Sequence, residues 1–316
     1  MIKMNLESDK DIREVFEEFI EEKKLDGLSE ETIVYYENYG NIFIDYLVNQ
    51  EDITLTSGIT RRVLKNYLEW ISKTHNYSHT GKNTMLRAIR VFVYYLQDRS
   101  DIEIQDFKIK IRKAKKSKKN KIYSEEELDT LLEKPDLKKT RFGEYRSWVV
   151  INFLLATGVR SKTLVNIKIK DLDMGNKVVK LMNYKAHHEF SLKIFNRLYS
   201  ILKEYLQFRD GEPDDYLFCS SYGDKFTTSG LRTSIQRYNK KRGVEKSGIH
   251  AFRHTFASLW IKNGGDPYRL MDLLDHQSME TTKQYVHHFK DDESIKNKNP
   301  LETLAKNEKE YINLNK

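Results

Sequence analysis

Along the first hundred residues apolar side chains recur every third or fourth position, the spacing that aligns one face of an α-helix. Four such stripes stand out. Ile12, Val15, Phe16, Phe19 and Ile20 predict a helix over about 9–25 with Gly27 just past its end. Ser29 offers the N-cap of a second helix, reaching about 48 with Ile33, Tyr36, Ile42, Phe43 and Tyr46 on its apolar face. Val63, Leu64, Tyr67, Leu68 and Ile71 mark a third over 60–73, and Leu86, Ile89, Phe92, Val93 and Leu96 a fourth over 79–97. Residues 1–134 hold no proline and only four glycines, so little interrupts these runs, and they read as a four-helix bundle.

Past the bundle the period changes. Ser124-Glu125-Glu126-Glu127 is a capping box that opens a helix, and another is expected over 144–156, running into Thr157-Gly158. β-forming residues cluster in Val165–Lys170 and Val178–Tyr184, and Glu189–Leu192 reads as the returning arm of a hairpin across Lys185-Ala186-His187-His188. Helical spacing resumes over 192–208, 227–241, 249–263, 267–274 and 279–288. The fold class is therefore mainly α with a small antiparallel β-sheet inserted in the second part. No repeat of solenoid period is present.

Charge singles out the joint between the two parts. The formal net charge of +8 on 316 residues is modest, but the stretch KIKIRKAKKSKKNK carries eight lysines, one arginine and no acid. These are Lys108, Lys110, Arg112, Lys113, Lys115, Lys116, Lys118, Lys119 and Lys121; elsewhere basic and acidic residues nearly balance. Such a run repels itself and reads as an extended linker. Beside a polyanion it would release condensed counterions, so a nucleic-acid partner is favoured over a merely solubilising role. The single cysteine, Cys219, excludes a disulfide framework or multi-cysteine zinc module and fits a reducing compartment. The longest apolar stretch, Trp148–Val159, is too short to span a membrane, and the N-terminus lacks the apolar core of a signal peptide. A soluble cytoplasmic protein with no membrane partner is expected.

Candidate chemistry lies near the C-terminal end. His250 and Arg253 share one face of a helix whose apolar side is Phe252, Phe256, Leu259 and Trp260. Gly264-Gly265 ends it, Asp266-Pro267 starts the next as N-cap and N1, and His276 falls just past that helix's C-terminus. Tyr285 rides the short helix that follows, Arg160 follows the turn Ala156-Thr157-Gly158-Val159, and Lys185 sits at the hairpin tip. Singly these are ordinary: one tyrosine among 19 is usually packing, and an arginine after a turn is usually surface charge. The pairs His187-His188 and His287-His288 face apart and have no cysteine cluster beside them, so no metal is expected.

The boxes ATGVR (156–160), HAFRHTFA (250–257) and LLDHQSMETTKQY (273–285), in this order and with nine residues from His276 to Tyr285, resemble the tyrosine recombinase (phage integrase) family. The resemblance spans nearly the whole chain, and GLSEETIVYY at 27–36 resembles that family's core-site DNA-binding domain. It implies a SAM-like helical core-binding domain at 1–105, the basic linker at 106–122, an α/β catalytic domain of the tyrosine recombinase type at 123–290 and a tail helix at 291–316. The implied activity is site-specific recombination of double-stranded DNA through a 3′-phosphotyrosyl intermediate, without metal, ATP or other cofactor. Arg160 and Arg253 would clamp the phosphate, His250 would assist Tyr285, Lys185 would protonate the leaving 5′ oxygen, and His276 would hydrogen-bond the phosphate. His254 and Lys283 are assigned to DNA or solvent. Partners implied are a specific recombination site, three further copies in a tetramer over two sites, with a monomer in solution, and room for an accessory protein.

A bundle that begins within the first dozen residues leaves no space for a separate arm-site domain, which resembles Xer-type or mobile-element enzymes. The tail, with Leu301, Leu304, Ala305 and Ile312 after Pro300, is expected to dock on a neighbouring subunit, with packing in cis as the alternative. Three departures from the family pattern stand out. Thr163 occupies the place of an acid that orients the first arginine. Asp275 replaces the glycine before the histidine, where it either raises the pKa of His276 or points outward. The hairpin reads Asn183-Tyr184-Lys185-Ala186 in place of glycine-lysine-glycine, leaving Lys180 as the fallback lysine. A type IB topoisomerase and a catalytically silent DNA-binding regulator are the other readings the sequence admits.

Overall fold

The computed structural model describes residues 9–74, 77–111, 122–184, 188–246, 248–276 and 278–286. The chain divides into two units between Lys118 and Lys119.

The first unit is built from α1 (Ile12–Leu25), α2 (Glu30–Glu51), α3 (Arg61–Thr74) and α4 (His79–Asp98). The Asp11 carboxylate caps α1 by accepting the Arg13 and Glu14 amides, and the Ser78 hydroxyl caps α4 at Gly81. The stripes read from the sequence meet in one core, where Phe16, Phe19 and Phe92 pack ring against ring and Phe43 meets Tyr67 edge-on. Gly40 is required there, because a Cβ on it would stand 2.1 Å from Phe16 Cζ. Beyond α4, Phe107 and Ile109 are buried against this core while Lys108 and Lys110 between them are exposed. The Ile109 amide donates to the Tyr94 hydroxyl at 3.1 Å, so alternate residues pin the start of the basic stretch to the bundle. Lys108 and Lys110 border a groove of about 470 Å³ with Arg61, Lys65 and Lys82. Arg112, Lys113, Lys115, Lys116, Lys118, Lys119 and Lys121 lie outside the described residues.

The second unit opens with α5 (Glu125–Leu132), where the Ser124 hydroxyl and the Glu127 carboxylate satisfy each other's amides as the capping box requires. Helix α6 (Phe142–Thr157) is buried from Tyr145 to Leu154 on all sides, so its sequence shows no polar stripe. A single turn, α7 (Ser161–Leu164), leads to a three-stranded antiparallel sheet, β1 (Leu172–Asp173), β2 (Val178–Asn183) and β3 (His188–Lys193), in that order. Among the described residues five helices follow: α8 (Asn196–Arg209), α9 (Thr228–Lys241), α10 (Ile249–Lys262), α11 (Pro267–Leu274) and α12 (Met279–Val286).

Three elements differ from the sequence reading. Val165–Lys170 is not a strand: Val165 and Ile167 are buried after α7, and Ile169–Asp171 form a 3₁₀ turn whose Ile169 and Lys170 amides bond to Asp215 and Pro213. Apolar content there reflects burial; the segment meets 213–217 through an isolated bridge at Lys168–Tyr216 and a few backbone bonds without joining the sheet, whose first strand is the short β1. His188 belongs to β3, paired with Asn183, and not to the hairpin loop. Leu192 and Lys193 stay in β3, so α8 begins only at Asn196.

Candidate active site

The site is assembled at the C-terminal end of α6 and along α10, α11 and α12. Helix α6 ends at Gly158 in a left-handed conformation (φ 63°). A Cβ there would meet Phe256 at 2.5 Å and Leu274 at 2.7 Å, so only glycine lets this turn seat against α10 and α11. Arg253 on α10 is 7 % exposed and donates from Nη1 to the Gly158 carbonyl at 2.8 Å and from Nη2 to the Leu274 carbonyl. Arg160, with its side chain 30 % exposed, donates from Nη1 to Asp275 Oδ2 at 2.9 Å and from Nη2 to the Asp275 carbonyl at 2.8 Å. Both guanidiniums thus rest on the C-terminal end of α11, where backbone carbonyls lack intrahelical partners and the helix dipole is negative.

The same helix end delivers His276, whose amide bonds to the Met271 carbonyl. Its Nδ1 lies 2.8 Å from the hydroxyl of Thr282, a fully buried residue of α12. Its ring lies parallel to that of Tyr285, with 6.4 Å between centroids. Tyr285 is 5 % exposed in a small core with Ala257, Ile261, Leu270 and Leu274, and its hydroxyl is hydrogen-bonded to His254 Nδ1 at 2.7 Å. Arg160, Arg253, His276 and Tyr285, distant in sequence, therefore converge. His250, one turn before Arg253, is exposed and lies within the field of both arginines. Lys185 lies outside the described residues, while Lys180 is exposed in mid-β2, opposite Ser191 and beside a cleft it shares with Thr163 and Tyr184.

A sequence profile of the phage integrase family matches residues 121–292, more than half of the chain and every element of this constellation. The chain belongs to the phage integrase family. A probable integrase/recombinase protein of Methanocaldococcus jannaschii is 29 % identical over 308 residues, covering 92 % of this chain and 90 % of the relative. The tyrosine recombinase XerC of Leptospira interrogans is 27 % identical over 285 residues, covering 88 % and 90 %. Among solved structures, the XerH site-specific recombinase bound to its difH substrate before cleavage is 26 % identical with a TM-score of 0.63, covering 85 % of this chain and 79 % of that one.

Electrostatics in this tyrosine recombinase follow from two guanidiniums held in a half-buried place. Burial, then the Arg160 charge, lowers the pKa of Arg253 to about 10, so it stays charged at neutral pH. Burial first, and then Arg253 and Arg160, lowers that of His276 to about 4, leaving a neutral imidazole. Although the His250 side chain is exposed, packing around its ring partly desolvates it, and this, followed by Arg253 and Arg160, lowers its pKa in the same direction. Burial raises the Tyr285 phenol above its ordinary value, and Arg253 opposes that rise. Asp275 does push His276 upward, as its charge implies, but burial and the two arginines outweigh it, and the carboxylate does not point outward: it is turned inward onto Arg160.

Sequence reasoning missed three members of the site. His254, assigned to DNA or solvent, is the histidine in contact with the Tyr285 hydroxyl, because α12 docks on the face of α10 that carries it. Asn183, at the end of β2, donates to the same Asp275 oxygen that Arg160 uses. Thr282 was hidden in a polar run; its six-residue step from His276 was the one available signal. Lys283, by contrast, is exposed and pairs with Glu280 at 3.6 Å.

Proposed function

We propose that this tyrosine recombinase cleaves and rejoins double-stranded DNA at a specific site through a phosphotyrosyl intermediate on Tyr285. The observation that carries the reading is the convergence of the Tyr285 hydroxyl, two guanidiniums and a neutral His276 at one end of the second unit. The phenolic oxygen attacks the scissile phosphorus, the bond to the 5′ oxygen breaks, and the phenolic proton passes to His254, which is already in hydrogen-bond contact. The family resemblance gives this part to His250; our proposal gives it to His254, the histidine in contact with the Tyr285 hydroxyl. Arg253 and Arg160 each spend two of five N–H groups on protein oxygens, which leaves donors for the non-bridging oxygens as charge builds there. His276 can donate from Nε2 when Nδ1 accepts from Thr282. The departing 5′ oxygen takes a proton, a role for which Lys185 is the candidate. The tyrosyl ester retains the phosphodiester bond energy, so a 5′ hydroxyl can reverse the step without ATP.

The basic stretch supplies sequence-independent backbone contacts, and the assembly on DNA is a tetramer over two sites; the tail at 291–316, expected to dock on a neighbouring subunit or in cis, lies outside the described residues. The DNA-bound XerH relative supports the substrate class. The test is incubation in EDTA with nicked duplexes bearing sites from the chain's genomic neighbourhood, followed by denaturing electrophoresis. A covalent adduct that vanishes in Tyr285→Phe is expected. Specific binding without an adduct would favour a silent regulator, and relaxation of supercoils lacking any specific site would favour a topoisomerase.

A further inference from the structure

Asp275 holds the most strained backbone position of the site. Its φ of 51° and ψ of 54° place it in the left-handed region, where aspartate and asparagine are tolerated and glycine is at ease. The side chain that accepts this strain does not face solvent. It is 17 % exposed, receives Arg160 Nη1 on Oδ2, receives Asn183 Nδ2 on the same oxygen, and has His188 Nε2 at 3.7 Å from Oδ1. Its carbonyl takes Arg160 Nη2, so one residue grips both ends of the fork. Thr163, three residues after Arg160, gives the arginine no acid, since its hydroxyl donates to the Met182 carbonyl on β2 at 3.2 Å.

We infer that Asp275 is the positioning residue of Arg160, aiming the guanidinium and offsetting the charge of the Arg160–Arg253 pair. The inference rests on the proposed cleavage at Tyr285 and names a further residue for it. Two positive groups held close repel, and helix-end carbonyls supply only partial charges against them; a full carboxylate offsets one. A phosphate-clamping arginine is useful only if its remaining donors point where charge develops, and displacement by ~1 Å costs about 100-fold in rate. Asp275 leaves three of the five N–H groups of Arg160 unspent, which suits a support and not a competitor for the phosphate site.

The test compares single-turnover adduct formation and DNA affinity in wild type, Asp275→Gly and Asp275→Asn, with added formate as a stand-in carboxylate. Both replacements are at home in the left-handed region, so folding is preserved. Asp275→Gly is expected to form adduct about 10- to 100-fold more slowly with DNA affinity nearly unchanged, Asp275→Asn to lie between, and formate to restore part of the Gly variant's rate. Adduct formation by Asp275→Gly as fast as wild type, or faster, overturns the inference, as does a slow variant indifferent to formate. An independent readout is ¹⁵N NMR of the Arg160 guanidinium, whose Nη rotation should be hindered in wild type and freed in Asp275→Gly. If wild type forms no adduct on a verified site, the cleavage reading fails, and the NMR arm still decides whether Asp275 holds the arginine.

Discussion

Truncating the two arginines should separate fold from chemistry. Arg253→Ala removes a guanidinium that is 7 % exposed and strands two buried carbonyl oxygens, those of Gly158 and Leu274. Each unsatisfied buried acceptor costs about 1–3 kcal/mol, and relief of the buried charge returns part of that, leaving a net loss of about 2–4 kcal/mol. For a unit of roughly 200 residues this lowers Tm by about 4–16 °C. Arg160→Ala removes a 30 % exposed side chain whose partner carboxylate keeps Asn183, so its loss is about 1 kcal/mol or less. Both variants should cut adduct formation by about 10²- to 10³-fold, because each removes a donor to the charge of the transition state. The assay is differential scanning calorimetry of the full chain, following the transition of the second unit, beside single-turnover cleavage. Equal Tm losses in the two variants, or an Arg253→Ala protein as stable as wild type, would refute the carbonyl cage as the support of Arg253.

Three further outcomes are expected. Thr282→Val should lower the cleavage rate while leaving DNA affinity intact, because the ring of His276 loses the hydroxyl that fixes its tautomer, and Thr282→Ser should recover the rate; equal rates in both variants would discard that role. Gly158→Ala should destabilise the second unit by about 2–4 kcal/mol through left-handed strain and overlap with Phe256 and Leu274, read by urea denaturation. The lowered pKa of His276, about 4 in the folded chain, means the unfolded chain binds more protons between pH 4 and 6.5. Stability of the second unit should therefore fall as pH drops through that window, His250 contributing in the same direction, and His276→Asn should flatten the Tm profile there.

Much of the fold was legible because its information is local. Helical stripes, the Ser124–Glu127 box and the Asp266-Pro267 start depend on spacing within a turn or two, and all appear where the pattern puts them. Val165–Lys170 misled because a buried irregular segment is as apolar as a strand; what separates them is the pairing of Ile169 and Lys170 with residues more than forty positions away. The same limit divides the site. Arg160, Arg253, His276 and Tyr285 sit in recognisable boxes, whereas the His254–Tyr285 and Asn183–Asp275 contacts arise only when separate helices and strands meet. Asp275 was visible as an oddity in the sequence, but the direction of its carboxylate was set by a backbone conformation that no spacing rule reveals.

The support that α11 gives to both arginines also bears on when the chain becomes dangerous to DNA. Arg160 and Asp275 are 115 residues apart, and Arg253 binds a carbonyl 95 residues upstream and another 21 residues downstream. During synthesis α6 and its arginine leave the ribosome long before α11 exists, and until that helix docks neither guanidinium has its seat. A truncated, nicked or half-folded chain therefore carries scattered reactive groups without an assembled cutting centre. Completing the chain through α11 is therefore what assembles the seats of both arginines, and a protein that stops short of this helix has neither.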